Sequence, residues 1–207
     1  MPLLSSAPVA RIVRITAAVV FLIGVAAVLG WIAGLDALKS IVPGTVEMKI
    51  NTGICLAASG LALWSLGGVA SPTDGRRRVG FASLGAVAVI AGLTLVQYIA
   101  QVDLGIDQLL AYEGPGEFGT TIPGRMSPQT AMSLLAIGAA LALATAGRGR
   151  NVVVVLALVP LVLGVLNGMD LLYGASAPHV PGRIHPDGHS HRRGLHRHGH
   201  RHGGDAA

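Results

Sequence analysis

Cysteine, aromatic side chains and charge are all scarce in this sequence. The 207 residues include one cysteine, Cys55, with 4% aromatic and 12% charged residues. A single cysteine excludes an intrachain disulfide framework and a thiolate metal site, so Cys55, inside an apolar run, is interpreted as a small packing residue. The few aromatic residues do not fit a membrane barrel, whose outer surface carries aromatic girdles.

Apolar residues dominate instead. Hydrophobic residues make up 52% of the chain, and the mean hydropathy is +0.63, which is too high for an ordinary soluble domain. The apolar content is mainly Leu, Val, Ala, Ile and Gly, which suits closely packed transmembrane helices. The sequence predicts an all-α, multi-pass bundle with the lipid bilayer as its first partner.

Five apolar stretches reach the roughly 20 residues that a membrane-spanning helix needs. The first is too long for the core of a signal peptide and is expected to be retained. Residues 15–173 therefore form a predicted five-span membrane domain. The spans are Ile15 to Leu35, Ile50 to Ala70, Val79 to Ala100, Ser127 to Ala146 and Asn151 to Tyr173.

Basic residues near the span ends predict the orientation. Three clusters fall on one side, which the positive-inside rule assigns to the cytoplasm together with the N-terminus, residues 1–14. The opposite side holds the loops 36–49 and 101–125, and the second loop has four acids against Arg125. We expect the inner membrane of a bacterium. The basic clusters are Arg11 and Arg14, Arg76 to Arg78, and Arg148 with Arg150, and the acids are Asp103, Asp107, Glu113 and Glu117.

The basic isoelectric point, near 10.1, does not indicate nucleic-acid binding. The basic residues lie in the C-terminal tail or beside apolar segments, without the interleaved aromatic residues of a nucleic-acid surface. No nucleic-acid partner is predicted.

A short motif occurs twice, each time where a span begins after an outside loop. Each copy follows a Pro-Gly pair, so the predicted unit is a pair of helices with an outside loop. "EMKINTGICLAASGLAL" aligns with "RMSPQTAMSLLAIGAALAL", so that Met48 matches Met126, Asn51 matches Gln129 and Thr52 matches Thr130.

Polar side chains in this motif are the candidate site. Asn51, Thr52, Gln129 and Thr130 fall in the first turns of two spans. They can cap helices and bond between them, with Ser127 as an N-cap before a proline. Alternatively, they line a pocket for a small molecule or a lipid headgroup. Asp170, near the outer end of the last span, is either an interfacial acid or part of such a site.

The spaced motifs resemble the N-terminal membrane region of certain bacterial sensor proteins. The resemblance rests on "LKSIVPGTVEMKINTGICLAASGLALW", "DLGIDQLL" and "PGRMSPQTAMSLLAIGAAL" and covers most of residues 35–145. It implies a sensory or anchoring region whose relatives carry a histidine kinase, PAS or diguanylate cyclase module, which this sequence lacks.

No nucleophile, base and orienting group occur together, so neither a catalytic centre nor a cofactor is expected. Pairs of glycines such as Gly30 with Gly34 and Gly164 with Gly168 suit helix packing, in the bundle or in a homodimer.

The tail, residues 174–207, is rich in His, Arg and Gly and is expected to be disordered. Its histidines could bind Zn, Ni or Cu weakly through neutral imidazoles, which would make the chain a complete small membrane protein, such as a transporter accessory, with a metal-handling tail. The candidate ligands are His189, His191, His196, His198, His200 and His202.

A second interpretation treats the tail as a shifted reading frame. Plausible GC-rich codons for it, read one base out of register, give "STRMATPTAAAFIAMAIAMA". That string contains Met-x-x-x-Thr-Ala and an apolar run, as a third copy of the motif opening a sixth span would. On this interpretation the chain is cut off before its sixth span and output domain.

Overall fold

The computed structural model describes residues 7–40, 47–68, 72–114 and 122–174, with only the backbone described from residue 170 onward. Within those ranges all regular structure is helical, as predicted. The helices are α1 (Ala7–Ala33), α2 (Asp36–Lys39), α3 (Ile50–Leu66), α4 (Asp74–Ala100), α5 (Pro128–Thr145) and α6 (Arg150–Gly174).

Four of these helices, α1, α4, α5 and α6, are long and apolar enough to cross a membrane. The remaining predicted span, Ile50 to Ala70, is not confirmed at its predicted length, because α3 has 17 residues and ends at Leu66. Gly67, the C-cap, leaves the helical conformation with φ of −82° and ψ of 149°, and Gly68 follows with a positive φ of 65°. At 1.5 Å per residue, α3 is about 25 Å long, slightly short of a hydrocarbon core.

The short helix α3 lies at the centre of the bundle. It packs against α1, α4 and α5, and 9 of its 17 residues are buried. Cys55 is fully buried there, against Val87 and Ala91 of α4 and Leu134 of α5. Its surroundings agree with a packing role. Because α3 is covered largely by protein, its ends need not match the bilayer thickness as closely as those of a lipid-exposed helix.

Small residues allow α1 and α3 to pack backbone against backbone. A Cβ atom on Gly60 would lie 2.5 Å from the nitrogen of Phe21 and 2.8 Å from the oxygen of Ala17. Of the predicted glycine pairs, Gly30 lies close to the backbone of Leu35 and Leu38, around α2. Among the described residues, no atom lies within 4 Å of a Cβ placed on Gly34, Gly164 or Gly168. The close approach therefore uses different glycines from those that the Gly-x-x-x-Gly spacing indicated.

The helices α1, α3, α4 and α5 alternate in direction, which brings all three basic clusters to one end. Gly68 lies against Ala10 near the start of α1, and Leu84 of α4 packs with Leu66 of α3 and Leu141 of α5. At this end Arg76 donates from Nε to the oxygen of Ser65 at 3.2 Å, capping α3. The loop 101–125 begins at the opposite end.

The last helix, α6, packs only along α5 among the described helices. None of the residues in its most apolar stretch is buried within the chain. Many of its large side chains, among them Val155, Leu161 and Leu166, are more than half exposed, as expected for a surface that faces lipid.

Candidate functional site

The loop after α4 turns back onto the helix ends. Gln101 ends α4 in the left-handed conformation, with φ of 54°. Asp103 Oδ1 then accepts a hydrogen bond from the nitrogen of Gly105 at 2.9 Å, closing a tight turn. Gly105 has φ of 68°, a conformation that favours glycine. The chain is thereby directed back toward the last turn of α4.

The first buried polar cluster joins α4, the loop and the start of α5. Gln97 Nε2 donates to both carboxylate oxygens of Asp107 at 3.1 Å. Arg125 Nε donates to Asp107 Oδ2 at 2.6 Å, and its Nη2 donates to Gln97 Oε1 at 3.2 Å. The nitrogen of Leu104 donates to the same Gln97 oxygen at 2.8 Å. One glutamine thus supports both the ion pair and the fold of the loop.

The second buried cluster joins the other end of the loop to α3. Lys49, the residue before α3, forms an ion pair with Glu113, and both side chains are more than nine-tenths buried. The other oxygen of Glu113 accepts a hydrogen bond from the nitrogen of Gly124, shortly before α5. A single carboxylate therefore fixes the loop to the starts of two helices that belong to different copies of the motif.

Both clusters place charges out of water, which is expensive unless each charge is paired and hydrogen-bonded. Asp107, Glu113 and Arg125 are 4%, 3% and 8% exposed. Each has an oppositely charged partner and at least one further polar contact. Asp103 is different, because its side chain is 78% exposed and it lies 3.5 Å from Arg125. The buried pairs are the ones that hold the loop in place.

An aromatic side chain holds each copy of the motif at its methionine. Trp31 Nε1, at the end of α1, donates to the oxygen of Met48 at 2.8 Å. Tyr98 Oη, near the end of α4, donates to the oxygen of Met126 at 3.2 Å. In each case the first helix of a pair bonds to a backbone oxygen two residues before the second helix begins. The two aromatic residues occupy corresponding places, although the loops they close differ in length.

Each of these rings also lies beside a cation. Lys39 Nζ is 4.7 Å from the centroid of the Trp31 ring, and the Arg125 guanidinium is 5.5 Å from that of Tyr98. Lys39 is paired with the exposed Asp36 at 2.7 Å. That pair lies within α2, whereas the pair of Lys39 with Glu47 at 4.0 Å joins the two sides of the first loop. Loop 101–125 has two buried ion pairs instead.

The four predicted polar residues occupy different environments. Asn51 is buried, and its Nδ2 donates to the oxygen of Ile106 in the loop at 3.2 Å. Gln129, its counterpart in the motif, is exposed, while Thr52 and Thr130 are partly buried. Ser127 is the N-cap of α5, and its Oγ accepts from the nitrogen of Thr130 at 3.2 Å. Asn51 thus contacts the loop, and Thr130 takes part in the cap.

The remaining predicted site residues are not placed in a site. Asp170 lies in α6, but its side chain is outside the described part of the chain. The six tail histidines, like Glu117, also lie outside the described residues. Within the described ranges, no three His, Cys, Asp or Glu side chains are grouped so as to hold a metal ion.

The sequence shows an acidic loop with a single arginine, but it does not indicate which of these residues pair, and nothing in the predicted spans singles out Lys49 or Gln97. One feature of the motif does point to the pairs. Lys49 directly follows Met48, and Arg125 directly precedes Met126, so each copy of the motif carries one cation beside its methionine. Two such cations next to an acidic loop indicate two ion pairs.

No protein-family model, no curated protein and no solved structure matches the chain. The resemblance to bacterial sensor regions, carried by the motifs, therefore stays an expectation, and the helices indicate a membrane protein.

Proposed function

We propose that this chain is the sensory or anchoring membrane region of a bacterial signal-transduction receptor, in the inner membrane with its N-terminus in the cytoplasm. The observation that carries the proposal is the attachment of loop 101–125 to the bundle. The buried ion pair of Lys49 with Glu113 joins the loop to α3, and Gln97 of α4 donates to Asp107, which is itself paired with Arg125 just before α5. The residues that form this attachment lie within or beside the motifs that resemble sensor regions.

The attachment supports a sensory role because it links an exposed loop to the helices. Gln97 and Asn51 lie within a turn of the ends of α4 and α3, and both donate to the loop. Arg125, three residues before α5, donates to Asp107 at the other end of the loop. A signal that competes for Asp107 or Glu113 would free those helix ends to shift. Signals are transmitted through packed helices when an element has two discrete arrangements that a ligand biases. Here the paired and unpaired loop are those two arrangements.

A chimaeric receptor tests this proposal. Residues 35–145 replace the corresponding segment of an intact signalling protein with the same motif series, and the activity of its kinase or cyclase is measured in membranes. We expect the chimaera to keep a regulated output. Asp107→Ala or Glu113→Ala should fix the output at one level, because each removes one attachment of the loop.

Asp36→Ala is the matched control, since it removes an exposed ion-pair partner at the same end of the bundle. It should leave the output regulated. The proposal is contradicted if both buried-pair variants, at wild-type membrane levels, keep the same regulated output as the control.

A further inference from the structure

The middle of loop 101–125 exposes large apolar side chains although its flanks are buried. Leu109, Leu110 and Tyr112 are 75%, 59% and 77% exposed. They lie between Asp107 and Glu113, both of which are buried in ion pairs. The apolar segment 109–112 is therefore held at both ends and presented outward, and a fixed, exposed apolar surface marks a site of interaction.

The attachments of the loop fix the depth of this segment relative to the helices. Just before it, the oxygen of Ile106 bonds to Asn51, the second residue of α3. Just after it, Glu113 pairs with Lys49, which directly precedes α3. Gln97, which binds Asp107, is only three residues from the end of α4, about 4.5 Å along the axis. Both flanks thus lie level with the helix ends.

That level corresponds to the boundary between the acyl chains and the headgroups. The headgroup region on each side of a bilayer is roughly 5–7 Å thick, so a segment level with the helix ends lies inside it. Ile99, in the last turn of α4, is 82% exposed at the same level. The apolar segment 109–112 continues this lipid-facing surface beyond the helix.

The chemistry of the segment also suits lipid. The carboxylates of Asp107 and Glu113, on either side of the segment, are already buried in ion pairs. Inserting the segment into the headgroups therefore moves neither of these charges out of water. Gln108, Leu109, Leu110, Ala111 and Tyr112 are uncharged. Leucine supplies apolar area, and tyrosine favours the membrane interface because its ring is apolar and its hydroxyl is polar.

We propose that Leu109, Leu110 and Tyr112 insert into the leaflet at which α4 ends, anchoring loop 101–125 to lipid as well as to the helices. This inference requires membrane insertion of the bundle and does not depend on the signalling role. If the loop is also the sensory element, lipid composition becomes one of the conditions to which it responds.

Site-directed fluorescence of the full chain in phosphatidylcholine and phosphatidylglycerol vesicles tests the inference. With Cys55→Ala as background, Leu110→Cys carries an environment-sensitive dye. Asp36→Cys, whose native side chain is charged and 80% exposed at the same end of the bundle, is the aqueous control. Leu158→Cys, on the exposed surface of α6, is the control within the bilayer.

We expect lipids with a nitroxide near the top of the acyl chain to quench the dye at position 110 severalfold more than the dye at position 36. Lipids with a deep nitroxide should quench mainly the dye at position 158. The inference is overturned if aqueous iodide quenches the dye at position 110 as strongly as the dye at position 36 and the lipid nitroxides do not quench it. The inference is also overturned if the dye is shielded from both quenchers and the shielding disappears when the protein is diluted in lipid. That result would mean that a second copy of the chain covers the segment at high protein density. The same measurement with Tyr112→Cys must agree.

Discussion

Removing the Asp107 carboxylate should release the loop from α4 and α5. In Asp107→Ala, the side chain of Arg125, only 6% exposed, loses its closest anionic partner, and Gln97 loses two hydrogen bonds. Breaking a buried ion pair by removing one partner costs about 3–5 kcal/mol. We take about 3 kcal/mol, since Asp103 lies 3.5 Å from Arg125 and can compensate in part. The loop should open locally before the bundle unfolds.

Amide hydrogen exchange measures this opening at a defined atom. The nitrogen of Leu104 donates to Gln97, so its exchange reports on the first cluster. A loss of about 3 kcal/mol raises its opening equilibrium on the order of 100-fold. Asp36→Ala removes an exposed partner worth at most about 1 kcal/mol and should change exchange by about fivefold or less. In Asp107→Ala with Arg125→Met, exchange should return toward the wild-type rate, because the unpaired buried charge is gone. If the amide of Leu104 exchanges no faster in Asp107→Ala than in Asp36→Ala, the buried ion pair does not hold the loop closed.

Four further predictions concern packing, the motif and the tail. Gly60→Ala should lower the midpoint of thermal unfolding in detergent because its Cβ would overlap the backbone of α1, whereas Gly92→Ala, in open space, should not. Equal midpoints would contradict the packing. Asn51→Leu should cost about 1–3 kcal/mol in the free energy of unfolding by leaving a loop carbonyl unpaired, and the same change at the exposed Gln129 should cost less. Removing residues 175–207 should leave membrane insertion unchanged in carbonate extraction. The coding DNA of the tail, translated one base out of register, should contain Met-x-x-x-Thr-Ala and an apolar run, and stop codons there would contradict the frame hypothesis.

The sequence predicts best those helix ends that have a local chemical signal. The predicted span Ser127 to Ala146 closely matches α5, because Ser127 and Pro128 form a recognisable cap. The predicted start at Val79 was late, since α4 begins at Asp74. Arg76 to Arg78 lower the hydropathy of that stretch without preventing a helix. Hydropathy thus locates the part that crosses the bilayer and omits helical turns outside it.

The ion pairs could not be predicted in the same way because they depend on tertiary structure. Lys49 and Glu113 are 64 residues apart, and Arg125 reaches back 28 residues to Gln97. Composition showed an acidic loop opposite the basic clusters, but four acids and two cations allow several pairings. The fold of the loop, set by Gln101 and Gly105, selects among them. The close glycine contacts of α1 and α3 likewise depend on which helices are neighbours.

Membrane topology is the most direct test of the central claim, which is a bundle that crosses the bilayer with loop 101–125 on the side opposite the basic clusters. Reporter fusions after Ser40, Arg77, Gly116 and Gly149 assign each position to a compartment. We predict Arg77 and Gly149 in the cytoplasm, and Ser40 and Gly116 outside. The same compartment for Ser40 and Arg77 would mean that the short helix α3 does not cross, and the same compartment for Arg77 and Gly116 would contradict the account as a whole.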